Sequence, residues 1–375
     1  MASLRFCAPV IRSVARVSHR RFASATAPLT SPRHLLSIAD LTPAELTTLV
    51  LNAASHKKTI KSGTTPKNIA GALTGKLVGM TFNKRSTRTR ISTEGAVVAM
   101  GGHPMFLGKD DIQLGVNESL YDTSVVMSSM MSCIVARVGP HSDVADLAKH
   151  SSVPVINALS DWYHPLQTIA DFLTLHEAFP SDRTFPVGLD LAGRKIAWVG
   201  DANNVLFDLA LGAVKLGVDV AVATPKGYGI PKSMRDLIAA ASEPTPTPGK
   251  ITEHDDPLEA VYNANILATD TWISMGQESE KQKRLRDFAG FQITEEMGKR
   301  GGAKPDWKFM HCLPRHQEEV ADEVFYGSRS LVFQEAENRL WAAIGTFWWI
   351  RTQNLYANND LAAIEAFVVN KGEIR

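Results

Sequence analysis

The chain reads as an α/β protein built from two doubly wound domains, each with a central parallel sheet, joined by interdomain helices, with a C-terminal helix packing back on the first domain. Three observations predict this. Short apolar runs alternate with helical patterns from Leu35 onward, the runs fall into two groups of four, and the unusual polar residues follow strand ends. In open α/β sheets ligands bind beyond the carboxyl ends of the strands, so polar residues from both groups face one cleft.

The first group of strands is Leu77–Phe82, Met105–Leu107, Cys133–Val138 and Val153–Asn157. A helical stretch from Thr168 to Phe179 follows, and Pro180, Pro186 and Gly188 mark the join to the second half. The second group is Lys195–Gly200, Val218–Thr224, Ile266–Thr269 and Lys308–His311. The segment from Ala241 to Lys250, rich in proline, reads as a surface loop. From about Glu335 to Leu355 a helical pattern carries Leu340, Trp341, Ile344, Phe347, Trp348 and Ile350, apolar enough to be buried. The expected divisions are residues 34–178 and 185–335 for the two domains, and 336–375 for the returning helix and tail.

Residues 1 to about 30 differ in kind. Arg5, Arg12, Arg16, Arg20 and Arg21 interleave with Leu4, Phe6, Val10, Ile11, Val14, Val17 and Phe22, with several serines and no acid. This reads as an amphipathic mitochondrial presequence, the alternative being a basic arm kept in the mature protein.

Composition narrows the partners. With 375 residues and 44% hydrophobic content the chain buries a large core, and a net charge of +1 offers no sustained basic surface for nucleic acid. No apolar run of about twenty residues is present, so no membrane span is expected. Cys7, Cys133 and Cys312 are too scattered for a disulfide framework.

The sharpest local signal is Lys84-Arg85-Ser86-Thr87-Arg88-Thr89-Arg90, three arginines and three hydroxyls where a strand gives way to a helix. With Ser86 or Thr87 as N-cap, the free N–H groups and the dipole of the first turn favour an anion, and guanidinium groups match phosphate oxygens. No acid lies between Glu45 and Glu94 to neutralise it. Further polar residues end other strands: Arg137, His164 to Gln167, Asn203-Asn204, Asp270, and His311-Cys312-Leu313-Pro314.

On these residues the chain resembles the aspartate/ornithine carbamoyltransferase family, in its ornithine-using branch. The motifs are Ser86-Thr87-Arg88-Thr89-Arg90, Asp111-Ile112-Gln113-Leu114-Gly115, His164-Pro165-Leu166-Gln167, Asp270-Thr271-Trp272-Ile273-Ser274-Met275-Gly276 and His311-Cys312-Leu313-Pro314. The likeness spans residues 34 to about 355, and five motifs in order make it specific.

The resemblance implies transfer of a carbamoyl group from carbamoyl phosphate to the δ-amine of ornithine, giving citrulline and phosphate. It implies that Ser86, Thr87, Arg88 and Thr89 hold the phosphate. Arg137 would donate to the carbonyl oxygen as charge develops there. His164 and Gln167 would hold the carbamoyl oxygen and nitrogen, and Arg339 would complete that site from the last helix. Asp270 and Ser274 would take the α-ammonium of ornithine, and Asn204 with the backbone near Met275 its α-carboxylate. Cys312 and Leu313 would also border the carbamoyl phosphate, and Leu313 would offer a carbonyl to the amine. Gln113 would reach the phosphate of a neighbouring subunit, so that a homotrimer shares its sites. The location implied is the mitochondrial matrix.

The chemical difficulty is the nucleophile's charge. An alkylammonium with a pKa near 10.4 is neutral in about one molecule in a few thousand at pH 7, a penalty of roughly 4–5 kcal/mol. Cys312 is nearer to the amine in proton affinity than any carboxylate, and beside Asp270 it is expected to orient the amine and to share or accept its proton. No metal or organic cofactor is implied. A zinc site on His311, Cys312 and His316 is disfavoured, because Pro314 breaks the helix that such ligands would need. Three rival functions stand beside this one, among them a non-catalytic binding protein for phosphorylated metabolites, which would leave Cys312 and Asp270 unexplained. A nicotinamide-dependent oxidoreductase is suggested by Ile196-Ala197-Trp198-Val199-Gly200, although Gly200-Asp201-Ala202-Asn203-Asn204 lacks the later glycines of G-x-G-x-x-G. A carbamoyltransferase for another amine would need a different loop at Ser274-Met275-Gly276.

Overall fold

A computed structural model describes residues 31–112, 118–180, 188–273 and 278–357. The first half contains α1 (Pro43–Lys61), β1 (Leu77–Phe82), α2 (Thr87–Ala99), β2 (His103–Gly108), α3 (Leu120–Met130), β3 (Cys133–Arg137), α4 (His141–His150), β4 (Val155–Leu159) and α5 (Pro165–Ala178). The second contains β5 (Lys195–Val199), α6 (Asn204–Lys215), β6 (Asp219–Ala223), α7 (Lys232–Ser242), β7 (Ile251–His254), α8 (Pro257–Val261) and β8 (Ile266–Thr269). It continues through α9 (Lys281–Asp287), α10 (Glu295–Arg300), β9 (Lys308–His311) and α11 (Asp322–Phe325) to the long α12 (Val332–Ala357).

Two parallel sheets result, in the orders β2-β1-β3-β4 and β7-β6-β5-β8-β9. In the first sheet Val78 pairs with both Pro104 and Cys133, so β1 and β3 lie in the interior and carry near-continuous apolar sequence. The second sheet has five strands where the apolar runs predict four. The extra one, β7, is Ile251-Thr252-Glu253-His254, with no fully buried side chain. It is an edge strand held by its pairing with β6, so its sequence carries no apolar run to announce it.

Two helices differ from their expected bounds for local reasons. α5 starts at Pro165 rather than Thr168, because proline fixes a helical φ and its missing N–H costs nothing in the first turn. α12 starts at Val332, ahead of the apolar stripe that announces it. It packs on α1, α2 and α5, as expected of a helix returning to the first half. Trp341, Phe347, Trp348 and Trp349 are buried there, each large side chain contributing roughly 1.5–3 kcal/mol over exposure. No described helix is long and apolar enough to cross a membrane.

Candidate active site

The carboxyl ends of strands from both sheets open on one cavity of about 1030 Å³. Its first wall is cationic. Ser86 caps α2 in an extended conformation (φ −160°, ψ 118°), accepting the Thr89 N–H at 3.3 Å and donating to Thr89 Oγ1 at 3.0 Å. The cap is thus Ser86 rather than Thr87, and no acid occupies the first turn. The remaining N–H groups of that turn have no partner within the helix. Arg88 Nη2 donates to the Leu313 carbonyl at 2.5 Å, tying this turn to the loop after β9. Arg90 leaves the cluster: its Nε donates to Glu94 at 2.9 Å and its guanidinium lies 3.8 Å over the Phe106 ring.

Arg137 ends β3 and is 6% exposed, with no partner for its Nε. Burial, and then Arg88, pull it down to about 10. Arg339 enters from α12, donating through Nη1 to Gln167 Oε1 at 2.6 Å and lying 3.3 Å from His164 Nε2. Its Nε and Nη2 are unpartnered, and burial pulls it also down to about 10. Buried guanidinium groups with unused donors are costly unless an anion fills them.

His164 caps the start of α5 and is 4% exposed. Burial and the charges of Arg339, Arg137 and Arg88 hold its pKa well below the usual imidazole range, so the ring is neutral. With Nε2 turned to the donor Arg339, the ring proton is assigned to Nδ1, which has no partner. Gln167 is placed differently from expectation. It does not line the cavity but lies behind it, Nε2 donating to Asp171 at 2.7 Å and to Glu335 at 2.9 Å while Oε1 holds Arg339. The two carboxyls share this buried corner. Burial pushes Asp171 up to about 7 and, with Asp171 beside it, drives Glu335 well above its usual range.

The second wall is acidic. Asp270 follows β8, accepting Asn203 Nδ2 at 2.8 Å and the Cys312 thiol at 3.0 Å. Burial, then Asp270 and Glu335, push the Cys312 thiol well above its ordinary range. The thiol so placed donates to Asp270, and the carboxyls around it favour the protonated sulfur. Leu313 sits at φ +63° and its N–H donates to His311 Nδ1 at 2.9 Å. His311 Nε2 in turn pairs with Glu319 at 3.0 Å, and the other oxygen of Glu319 pairs with His316 at 2.8 Å. Burial would raise Glu319, but the hydrogen bonds it accepts from His311 and His316 outweigh it and hold Glu319 low. Both histidines of the disfavoured zinc set are thereby engaged, and no group of three metal-ligating side chains is found among the described residues.

Asn204 lines the cavity, its Nδ2 donating to the Ser160 carbonyl at 2.7 Å. Its neighbour Asn203 donates to Asp270. Ser274, Met275 and Gln113 lie outside the described residues. The glycine that suggested a dinucleotide strand has another cause. Gly200 sits at φ +140°, and a Cβ there would lie 2.8 Å from Thr269 Oγ1 and 2.9 Å from Trp272 Nε1. Asn203 then caps α6, accepting the N–H groups of Val205 and Leu206. A side chain fills the helix start where a pyrophosphate would need bare backbone.

Among the carboxyls at or behind the cavity, Asp171, Glu319 and Asp208, whose Oδ2 accepts the His164 N–H at 2.7 Å, escaped the sequence motifs. Asp171 and Asp208 had one signal, an acid inside an otherwise apolar helical stretch.

Two parallel sheets sharing a cleft, cationic on one wall and carboxylate-thiol on the other, define a two-substrate α/β enzyme with an anion pocket. Residues 33–177 match the carbamoyl-phosphate-binding domain of the aspartate/ornithine carbamoyltransferases, and residues 192–350 match their Asp/Orn-binding domain. The chain belongs to the aspartate/ornithine carbamoyltransferase family. It is 66% identical over 368 residues to a protein of Aspergillus niger named mitochondrial ornithine carbamoyltransferase, covering 98% of this chain and 95% of that one. A crystal structure of a mitochondrial ornithine carbamoyltransferase from Coccidioides immitis superposes with a TM-score of 0.81 at 65% identity, covering 87% of this chain and 99% of the other. The ornithine carbamoyltransferase of Pyrococcus furiosus gives 0.76 at 40% identity, covering 84% and 96%.

Proposed function

We propose that this chain transfers the carbamoyl group of carbamoyl phosphate to the δ-amine of L-ornithine, giving L-citrulline and phosphate. The observation that carries the reading is one cavity in which unfilled guanidinium and helix N–H donors face a carboxylate–thiol pair. An anionic donor and an aminated acceptor are then held within reach of each other. Relatives that bear the ornithine carbamoyltransferase name over nearly the whole chain support it.

The phosphate rests on the first turn of α2, with Ser86, Thr87, Arg88 and Thr89. Arg137 and the Nδ1–H of His164 face the carbonyl oxygen, where charge gathers as the tetrahedral centre forms. Arg339, held by Gln167, closes the same pocket, and the carbamoyl nitrogen lies on that side. Asp270 and Ser274 take the α-ammonium of ornithine, and Asn204 with the backbone at Met275 its α-carboxylate. The δ-amine reacts as the free base. The Leu313 carbonyl and the sulfur of Cys312 accept its N–H bonds and aim its lone pair, while the thiol proton stays with Asp270. Attack forms the C–N bond, the C–O bond to phosphate breaks, and the proton shed by nitrogen leaves on the phosphate.

The mitochondrial names of the relatives and the arginine-rich first thirty residues support a mitochondrial location, and we place the enzyme in the matrix. A homotrimer is supported by exposed apolar side chains on either side of the segment holding Gln113. Ile91 and Val98 lie on α2, and Tyr121 and Met130 on α3, all more than half exposed. Gln113 would then serve the neighbour's phosphate. Purified protein given carbamoyl phosphate and ornithine should release citrulline and phosphate one to one. Carbamoylation of aspartate or putrescine in place of ornithine would overturn the substrate assignment.

A further inference from the structure

Helix α6 carries one acid, Asp208, between Phe207 and Leu209, and its side chain is fully buried. No cation forms an ion pair with it among the described residues. The nearby Lys215 ammonium is spent on the carbonyls of Ile38, Ala39 and Leu41. A buried carboxylate is costly unless its lone pairs are filled, and here three donors fill them. Oδ2 accepts the His164 N–H at 2.7 Å, while Oδ1 accepts Ser37 Oγ at 3.0 Å and the Ile38 N–H at 2.9 Å. One turn earlier, Asn204 holds the Ser160 carbonyl at 2.7 Å. The second half of the chain therefore grips both ends of the loop that delivers His164.

The earlier residues of the loop are tied elsewhere, the Ser160 N–H to the Tyr163 carbonyl at 2.9 Å, the Asp161 N–H to the Gly139 carbonyl at 2.8 Å and the His141 N–H to Asp161 at 2.7 Å, so what Asp208 fixes is the last residue, His164. His164 caps α5 without a side-chain capping bond, at φ −141° and ψ 63°, and Pro165 after it has no N–H. We propose that Asp208 is a positioning residue for carbamoyl transfer: its bond to the His164 N–H sets the imidazole that faces the carbamoyl oxygen, while its bonds to Ser37 and Ile38 anchor that setting to the N-terminal segment. The inference rests on the carbamoyltransferase reading above.

Asp208→Asn keeps the Oδ1 bonds but turns an NH2 toward the His164 N–H. Loss of a charged hydrogen bond corresponds to about ten- to a hundredfold, which should appear in kcat, with KM for ornithine held within about threefold. A purely structural role predicts no link to His164, so the deciding measurement is a double-mutant cycle. In a His164→Ala background, Asp208→Asn should lower kcat by less than about twofold more. Losses that multiply, or an unchanged kcat in the single variant, would overturn the proposal. Ser37→Ala, which removes an Oδ1 donor and the cap on the Ala39 N–H but leaves the His164 bond, should lower Tm yet keep kcat within about twofold; a loss equal to that of Asp208→Asn would count against the role. Should Asp208→Asn not fold, Asp208→Glu is carried through the same cycle with the same two outcomes. A parent enzyme that makes no citrulline would refute the carbamoyltransferase reading instead, before any variant is compared.

Discussion

The two walls of the cleft solve opposite problems. The wall built on the first sheet gathers positive charge: Arg88, Arg137 and Arg339 stand together, and several of their donors are unfilled. The wall built on the second sheet is already paired within itself. Asp270 takes Asn203 and Cys312, and Glu319 takes His311 and His316. An unsatisfied wall waits for an anion, whereas a satisfied one offers directed acceptors to a substrate that brings its own positive charge. The walls meet at the bond from Arg88 to the Leu313 carbonyl and at the bond from Asn204 to the Ser160 carbonyl.

If this contrast is right, damage to the cationic wall should act on the transition state most. Arg137→Ala should lower kcat by about a thousandfold, the range seen when an oxyanion donor is removed, with citrulline formation as the readout. A fall confined to KM would mean that Arg137 serves ground-state binding alone. On the other wall, Cys312→Ala should lower kcat by about a hundredfold while KM for carbamoyl phosphate stays within about threefold. Loss of carbamoyl phosphate binding at unchanged turnover would move the thiol to the wrong substrate.

Smaller effects sharpen the account. Ser86→Ala removes the cap that sets the first turn of α2, worth about 1 kcal/mol, and should raise KM for carbamoyl phosphate about fivefold without changing that for ornithine. Stability should also respond to pH with a predictable sign. Asp171 and Asp208 titrate near 7 when folded, above their unfolded range, so the native state binds more protons and gains stability as pH falls through about 7. His56, pulled down to about 4, and His164, pulled well below its usual range, act oppositely once pH drops below about 6.5. Thermal resistance should therefore rise as pH falls from about 8 to about 6.5 and then level off where the histidines offset the acids, and a steady climb toward pH 8 would contradict these environments.

Much of this was legible because it followed from local pattern. β1 and β3 are interior strands, and their apolar runs name them. Ser86 announces a helix start by its type and place. What stayed hidden depends on contacts between distant segments. β7 is polar in sequence and exists because β6 offers it an edge. Gln167 sits in its motif as expected, yet its direction is set by Asp171 and Glu335, the latter 168 positions away. Cys312 is visible as a cysteine, but its proton is fixed by carboxyls that only the fold brings near.

The central claim is that each wall holds its own substrate, and calorimetry on Asp270→Asn tests it most directly. The account predicts carbamoyl phosphate binding within about threefold of the parent together with a loss of ornithine binding of about tenfold or more, since a charged partner is removed from the ammonium. Loss of carbamoyl phosphate binding in that variant, or undiminished ornithine binding, would contradict it.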